Sequence, residues 1–168
     1  MKKKILITVG VVVLLVASYF SYFYLYPKLI QPPKPTGYKD VIITLERTSC
    51  YGICPDYKLT MYGDGRVVYE GKRFVKVTGT QTAQISQDKV EEIVNEFYQT
   101  DYFSLRDEYT ASITDLPTTV TSISIDGKTK KVVDYYGAPE KLNELENKID
   151  EITNSKSWVG KCTFDTCE

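Results

Sequence analysis

Hydrophobic and polar positions divide the chain into three kinds of segment. Residues 5–26 form one unbroken apolar run without a charge, preceded by Lys2, Lys3 and Lys4. As a helix rising 1.5 Å per residue, this run spans about 33 Å, enough for a bilayer's hydrocarbon core. Residues 27–37 hold Pro27, Pro32, Pro33 and Pro35 and read as an extended stalk. From Tyr38 onward the pattern switches to short alternating runs and helical stripes.

Val41, Ile43 and Leu45 alternate with Ile42, Thr44 and Glu46, a period of two that predicts a strand with one buried face. A second strand over residues 57–62 leads into Gly63-Asp64-Gly65, residues that tolerate positive φ in a hairpin turn. Residues 66–70 return as a third strand, Gly71-Lys72 reads as another turn, and residues 73–85 read as a fourth strand bulged at Gly79. Ser86 then caps a helix whose Val90, Ile93, Val94 and Phe97 share one face. Tyr102, Phe103 and Leu105 are expected under its end, followed by a polar loop over residues 106–117.

Residues 118–125 are rich in β-branched side chains, and Asp126-Gly127 is the strongest hairpin turn in the chain. Residues 128–135 pair back. Pro139 suits a first helical position, and Leu142, Leu145, Ile149 and Ile152 form a second apolar stripe. Trp158-Val159 is expected to seal the core. With order ββββαββα and no βαβ alternation, the sequence predicts an α+β domain: an antiparallel sheet of about six strands with two helices packed on one face, preceded by a single transmembrane helix. The expected organisation is a cytoplasmic N-terminus at 1–4, an anchor at 5–26, a stalk at 27–37, the domain at 38–159, and a cysteine-containing tail at 160–168.

Charge supports that topology. The three lysines favour a cytoplasmic N-terminus, and Tyr19, Phe20, Tyr22, Phe23, Tyr24 and Tyr26 suit the headgroup layer at the far end. The domain is therefore expected outside the cytoplasm, whether the helix is retained or, as the small residues Val16-Ala17-Ser18 would permit, cleaved. The lysines account for three of 21 basic residues against 22 acidic ones, so the rest of the chain is weakly acidic and unsuited to nucleic acid. The chain contains no histidine, which removes Ser-His-Asp and Cys-His catalysis and His-ligated zinc.

The distinctive chemistry lies in Thr48-Ser49-Cys50-Tyr51-Gly52-Ile53-Cys54-Pro55-Asp56-Tyr57. Outside the cytoplasm, four cysteines (Cys50, Cys54, Cys162 and Cys167) read as disulfides, and three pairings are open. A local Cys50–Cys54 bridge would shape its loop more than it would stabilise the domain. Tyr51, Tyr57, Tyr62 and Tyr69 cluster in sequence around the first hairpin and form a candidate recognition surface, with packing roles as the alternative. The spacings do not match a zinc ribbon. Neither a nucleophile elbow nor a phosphate loop is found, and no spacing selects a pair among the carboxylates, which include Asp101, Asp107, Glu108, Asp115, Asp126 and Asp134. No catalytic residue, cofactor or metal is assigned.

The segments Cys50-Tyr51-Gly52-Ile53-Cys54-Pro55-Asp56-Tyr57, Tyr62-Gly63-Asp64-Gly65, Val68-Tyr69-Glu70-Gly71 and Asp134-Tyr135-Tyr136-Gly137-Ala138-Pro139 resemble the family called domain of unknown function 6438, over about residues 41–152. That resemblance implies an exported protein but no activity. The Cys-x-x-x-Cys-Pro element on a tethered domain is also similar to the membrane-anchored copper chaperones of cytochrome oxidase assembly. This second resemblance implies thiol redox or Cu(I) chemistry at Cys50 and Cys54. Those chaperones use a thioredoxin fold and a histidine ligand, and this chain has neither a βαβ pattern nor histidine. The leading expectation is an anchored binding or interaction module, contacting the membrane through residues 5–26 and an unidentified extracytoplasmic ligand or protein.

Overall fold

The computed structural model describes residues 2–168, without the side chains of residues 2–6 and 26–30, so Lys2, Lys3, Lys4 and Tyr26 are placed by backbone alone. The chain forms two compact units, one up to Pro33 and one over Lys34–Glu168. The first contains α1 (Lys2–Ile30). Within it, Ile7–Leu25 is long and apolar enough to cross a membrane, a property signal sequences share. Its aromatic residues stack one turn apart, Tyr19 on Phe23 and Phe20 on Tyr24. The helix runs on through Pro27 to Ile30, four residues that the sequence reading assigned to the stalk.

The second unit is an α+β domain. Its strands are β1 (Ile42–Arg47), β2 (Asp56–Tyr62), β3 (Arg66–Arg73), β4 (Gly79–Gln84), β5 (Glu108–Tyr109), β6 (Thr119–Ile125) and β7 (Lys128–Asp134), in one sheet ordered β4-β3-β2-β1-β6-β7-β5. Helices α2 (Gln87–Gln99) and α3 (Glu140–Thr153) and the short α4 (Lys156–Val159) complete it.

Strand parity builds the core. The register sets Ile43 beside Met61 and Ile123, and Leu45 beside Leu59, which in turn lies beside Tyr69. All six are buried, and the apolar stripes of α2 and α3 join them in one cluster. Each large apolar side chain buried this way contributes about 2 kcal/mol. Glu92 of α2 and Lys148 of α3 pair at 3.0 Å, tying the two helices together. The opposite face of the sheet carries polar residues such as Thr44, Lys58, Thr60 and Ser122, as an antiparallel sheet with one wet side should.

Several expectations need correction. The sheet has seven strands and is mixed, because β5 pairs in parallel with β7 inside what the sequence reads as a polar loop. Two residues are too few to show a period, so β5 is created by its partner. Gly71-Lys72 is not a turn: β3 continues to Arg73, and the chain reverses afterwards, with Phe74 at φ 50°. The register shift lies at Asp56/Tyr57 rather than at Gly79, which starts β4. Pro139 is the N-cap of α3, one position earlier than expected. Ser86 caps α2 through its carbonyl, which accepts from Lys89 and Val90, while its side chain makes no cap bond. The Asp126-Gly127 turn has positive φ at both residues, as a type I′ hairpin requires.

Candidate functional site

The four cysteines pair locally. Cys50 bonds Cys54 with Cα atoms 5.5 Å apart, and Cys162 bonds Cys167 at 4.0 Å. No free cysteine and no group of three potential metal ligands occurs among the described residues. Neither bridge ties the tail to the first loop. The tail instead closes its own small hairpin, in which Lys161 and Glu168 exchange backbone hydrogen bonds.

The four tyrosines do not share a surface. Tyr51 stands 90% exposed at the tip of the disulfide loop. Tyr57 and Tyr69 are core residues with rings 5.7 Å apart, and Tyr69 packs on Trp158 at 5.1 Å. Tyr62 lies on the other face of the sheet beneath the Arg66 guanidinium, 3.6 Å from its ring centre. Strand parity decides this: Tyr57 shares the face of Leu59 and Met61, and Tyr62 cannot.

Arg47, at the end of β1, organises the polar chemistry that sequence reading missed. Its guanidinium meets Asp150 through Nε at 3.0 Å and Nη2 at 2.9 Å. Nη1 donates to Thr119 Oγ1 at 3.2 Å and Nη2 to Asn147 Oδ1 at 3.3 Å. Tyr57 donates to Asp150 Oδ1 at 2.7 Å, and Ser155 donates to the same oxygen. Burial alone would lower the Arg47 pKa, but the charge and hydrogen bond of Asp150 overcome it and hold the group above its usual range. Tyr57 is pushed far above an ordinary phenol, first by burial and then by Asp150. Arg47 therefore stays charged and Tyr57 stays protonated at any physiological pH.

Glu146 is the second buried carboxyl of α3, 1% exposed, and accepts from Thr121 Oγ1 at 2.9 Å. Burial pushes its pKa up to about 7, assisted by Asp134 and Asp150 and opposed by Thr121 and Arg47. Both acids interrupt the apolar stripe of α3: Glu146 lies between Leu142 and Ile149, and Asp150 next to Ile149. An acid on a buried helical face is legible in sequence as an anomaly.

An open cleft of about 340 Å³ adjoins this network, lined by polar residues that include Arg47, Thr119, Asp134 and Asn143 and by the apolar Leu116, Pro117 and Ala138. Asp134, half-buried, has no side-chain hydrogen-bond partner among the described residues. Burial raises its pKa, and Arg47 counters part of that rise. Because the Arg47 charge is already matched by Asp150, Asp134 is the unspent charge of the cleft.

The fold thus brings two of the quoted motif segments to one place. Tyr57 closes the cysteine loop and Asp134 opens the 134–139 segment; both flank Arg47, Tyr57 by its 3.1 Å hydrogen bond and Asp134 across the cleft. A family model described as Domain of unknown function (DUF6438) matches residues 41–153, which span β1 to the end of α3 and include every residue of this network except Ser155. No curated protein matches the chain.

Proposed function

We infer that this chain, which belongs to the family described as Domain of unknown function (DUF6438), works as a membrane-anchored binding module outside the cytoplasm, with the Arg47–Asp134 cleft as its recognition site. The carrying observation is the unpartnered Asp134 carboxylate beside a neutralised arginine. A half-buried carboxylate with no protein donor keeps its acceptor capacity open to the cleft, and a ligand that supplies N–H groups fills it with charge-assisted hydrogen bonds. The ligand class is a primary amine, guanidinium or amide donor, presented by a small molecule or by a protein side chain; a cleft of this size admits one such group. Hydrogen bonding and charge are the chemistry this site offers, so binding is favoured over catalysis.

The anchor reading rests on the apolar Ile7–Leu25 stretch and the lysines before it. The paired cysteines suit an oxidising compartment. The binding test uses the full chain in lipid nanodiscs with N-acetylated Gly-Lys-Gly and Gly-Glu-Gly as probes, so that the lysine ammonium is the one amine offered. The lysine peptide should shift the Asp134 and Tyr136 resonances in NMR, and Asp134→Asn should abolish the shift. Equal response to both peptides, or an unaffected Asp134→Asn variant, would sink the reading. Location is tested separately in intact cells: protease should digest the domain and leave an N-terminal tag protected.

A further inference from the structure

The two edges of the sheet are built differently. β5 is two residues long and sits among Arg106, Asp107 and Glu108, the short, charged edge that proteins use against unwanted pairing. β4 is six residues long, exposed along most of its length, and lies in a stretch without a charge or a proline from Val77 to Gln87. None of the usual edge protections is present.

The ladder shows which backbone groups are free. Ile85 donates to the Gly65 carbonyl, and the β3–β4 register continues Val67↔Ala83, Tyr69↔Gln81 and Gly71↔Gly79. Antiparallel hydrogen bonding alternates. Odd-numbered residues of β4 therefore bond β3, and Thr80, Thr82 and Gln84 turn their N–H and C=O groups outward.

We propose that β4 pairs antiparallel with β4 of a second copy of this chain, about a two-fold axis through Thr82. Outward-facing residues must meet one another, so Thr82 faces Thr82 of the second copy and Thr80 faces Gln84. Every outward N–H and C=O of the strand then finds a partner, no like charges oppose, and a Thr–Thr pair sits at the centre. A two-fold needs a self-complementary patch, and this strand supplies one where the β5 edge, with Glu108 at its centre, would set like charges together. The interface is narrow, so the dimer is of the weak, concentration-dependent kind.

The test uses the full chain in detergent, followed by sedimentation equilibrium and amide hydrogen exchange. The wild type should dimerise reversibly with concentration, and the amides of Thr80, Thr82 and Gln84 should gain protection as it does. Thr82→Pro removes an outward N–H, a change an edge strand accepts, and Thr82→Lys sets two charges on the axis; both should be monomeric with unchanged circular dichroism. Glu108→Lys on the opposite edge should dimerise as the wild type does. A wild type that stays monomeric, or a dimer that survives both Thr82 variants or leaves the three amides unprotected, overturns the proposal. Open-ended aggregation in place of a dimer does the same.

Discussion

The Tyr57 hydroxyl donates to Asp150 Oδ1 across 2.7 Å, joining residues 93 apart in sequence. One leaves the disulfide loop on β2; the other lies in the last turn of α3. Asp150 also receives Arg47 and Ser155, so a single carboxylate secures the strand, the helix and the start of α4.

Removing one donor from that carboxylate should cost less than removing the carboxylate. Tyr57→Phe keeps the ring in the core and leaves Arg47 and Ser155 to satisfy Asp150, so about 1–2 kcal/mol should be lost. Asp150→Ala leaves the Arg47 charge, 24% exposed, without its partner, and should cost roughly 3 kcal/mol once that exposure is allowed for. Urea denaturation of the two variants measures both; equal costs would mean the carboxylate is not the hub.

Stability should fall as pH rises through neutrality because of Glu146. Its carboxyl is raised to about 7, chiefly by burial, so the folded state holds the proton more tightly than the unfolded chain does. That contribution is complete below the ordinary glutamate pKa and is lost as pH rises through about 7. The loss is on the order of 3 kcal/mol. Glu146→Gln keeps an acceptor for Thr121 and has no charge to bury. It should remove this slope and be the more stable protein at pH 8, as thermal denaturation across pH would record.

Both disulfides close loops of only a few residues, with separations of 4 and 5. Chain entropy then gives each at most about 2 kcal/mol. Replacing Cys50 and Cys54 by Ser should leave a folded domain of slightly lower stability with faster amide exchange confined to residues 48–56. Global unfolding on reduction would show that the core cluster is not self-sufficient. Intact mass with and without reductant and alkylation checks the pairing; readily alkylated Cys50 and Cys54 would instead favour thiol chemistry there.

Gly71 is a strand residue that tolerates no side chain. A Cβ there would lie 2.2 Å from the Val77 carbonyl oxygen and 2.9 Å from the Tyr69 ring. Tyr69 also donates to that oxygen at 3.1 Å, and burial raises its hydroxyl pKa to about 12. Gly71→Ala should therefore cost about 2 kcal/mol by overpacking. Gly79→Ala meets no atom and should lose only what its positive φ demands. A turn at Gly71-Lys72 would reverse this order, so the pair of melting curves tests the strand directly.

The legible parts of this fold were those with a local period or a local turn. Val41, Ile43 and Leu45 announce a buried strand face, Val90 to Phe97 a helix face, and Asp126-Gly127 a reversal, because each constraint acts within a few residues. Gly71 misled because glycine marks both a turn and a close approach, and only the Val77 backbone distinguishes them. The tyrosines misled because nearness in sequence ignored the sheet's two faces.

By itself, the sequence determined the apolar opening helix, the α+β class, the turns at Gly63-Asp64-Gly65 and Asp126-Gly127, and the family, since these are properties of short stretches and of composition. Only tertiary structure decided which cysteines pair, that residues 108–109 become a strand, and that Arg47, Tyr57, Asp134, Glu146 and Asp150 gather at one place. Those outcomes depend on the distance between residues far apart along the chain, which no local pattern encodes and which the packing of two helices on one sheet face imposes.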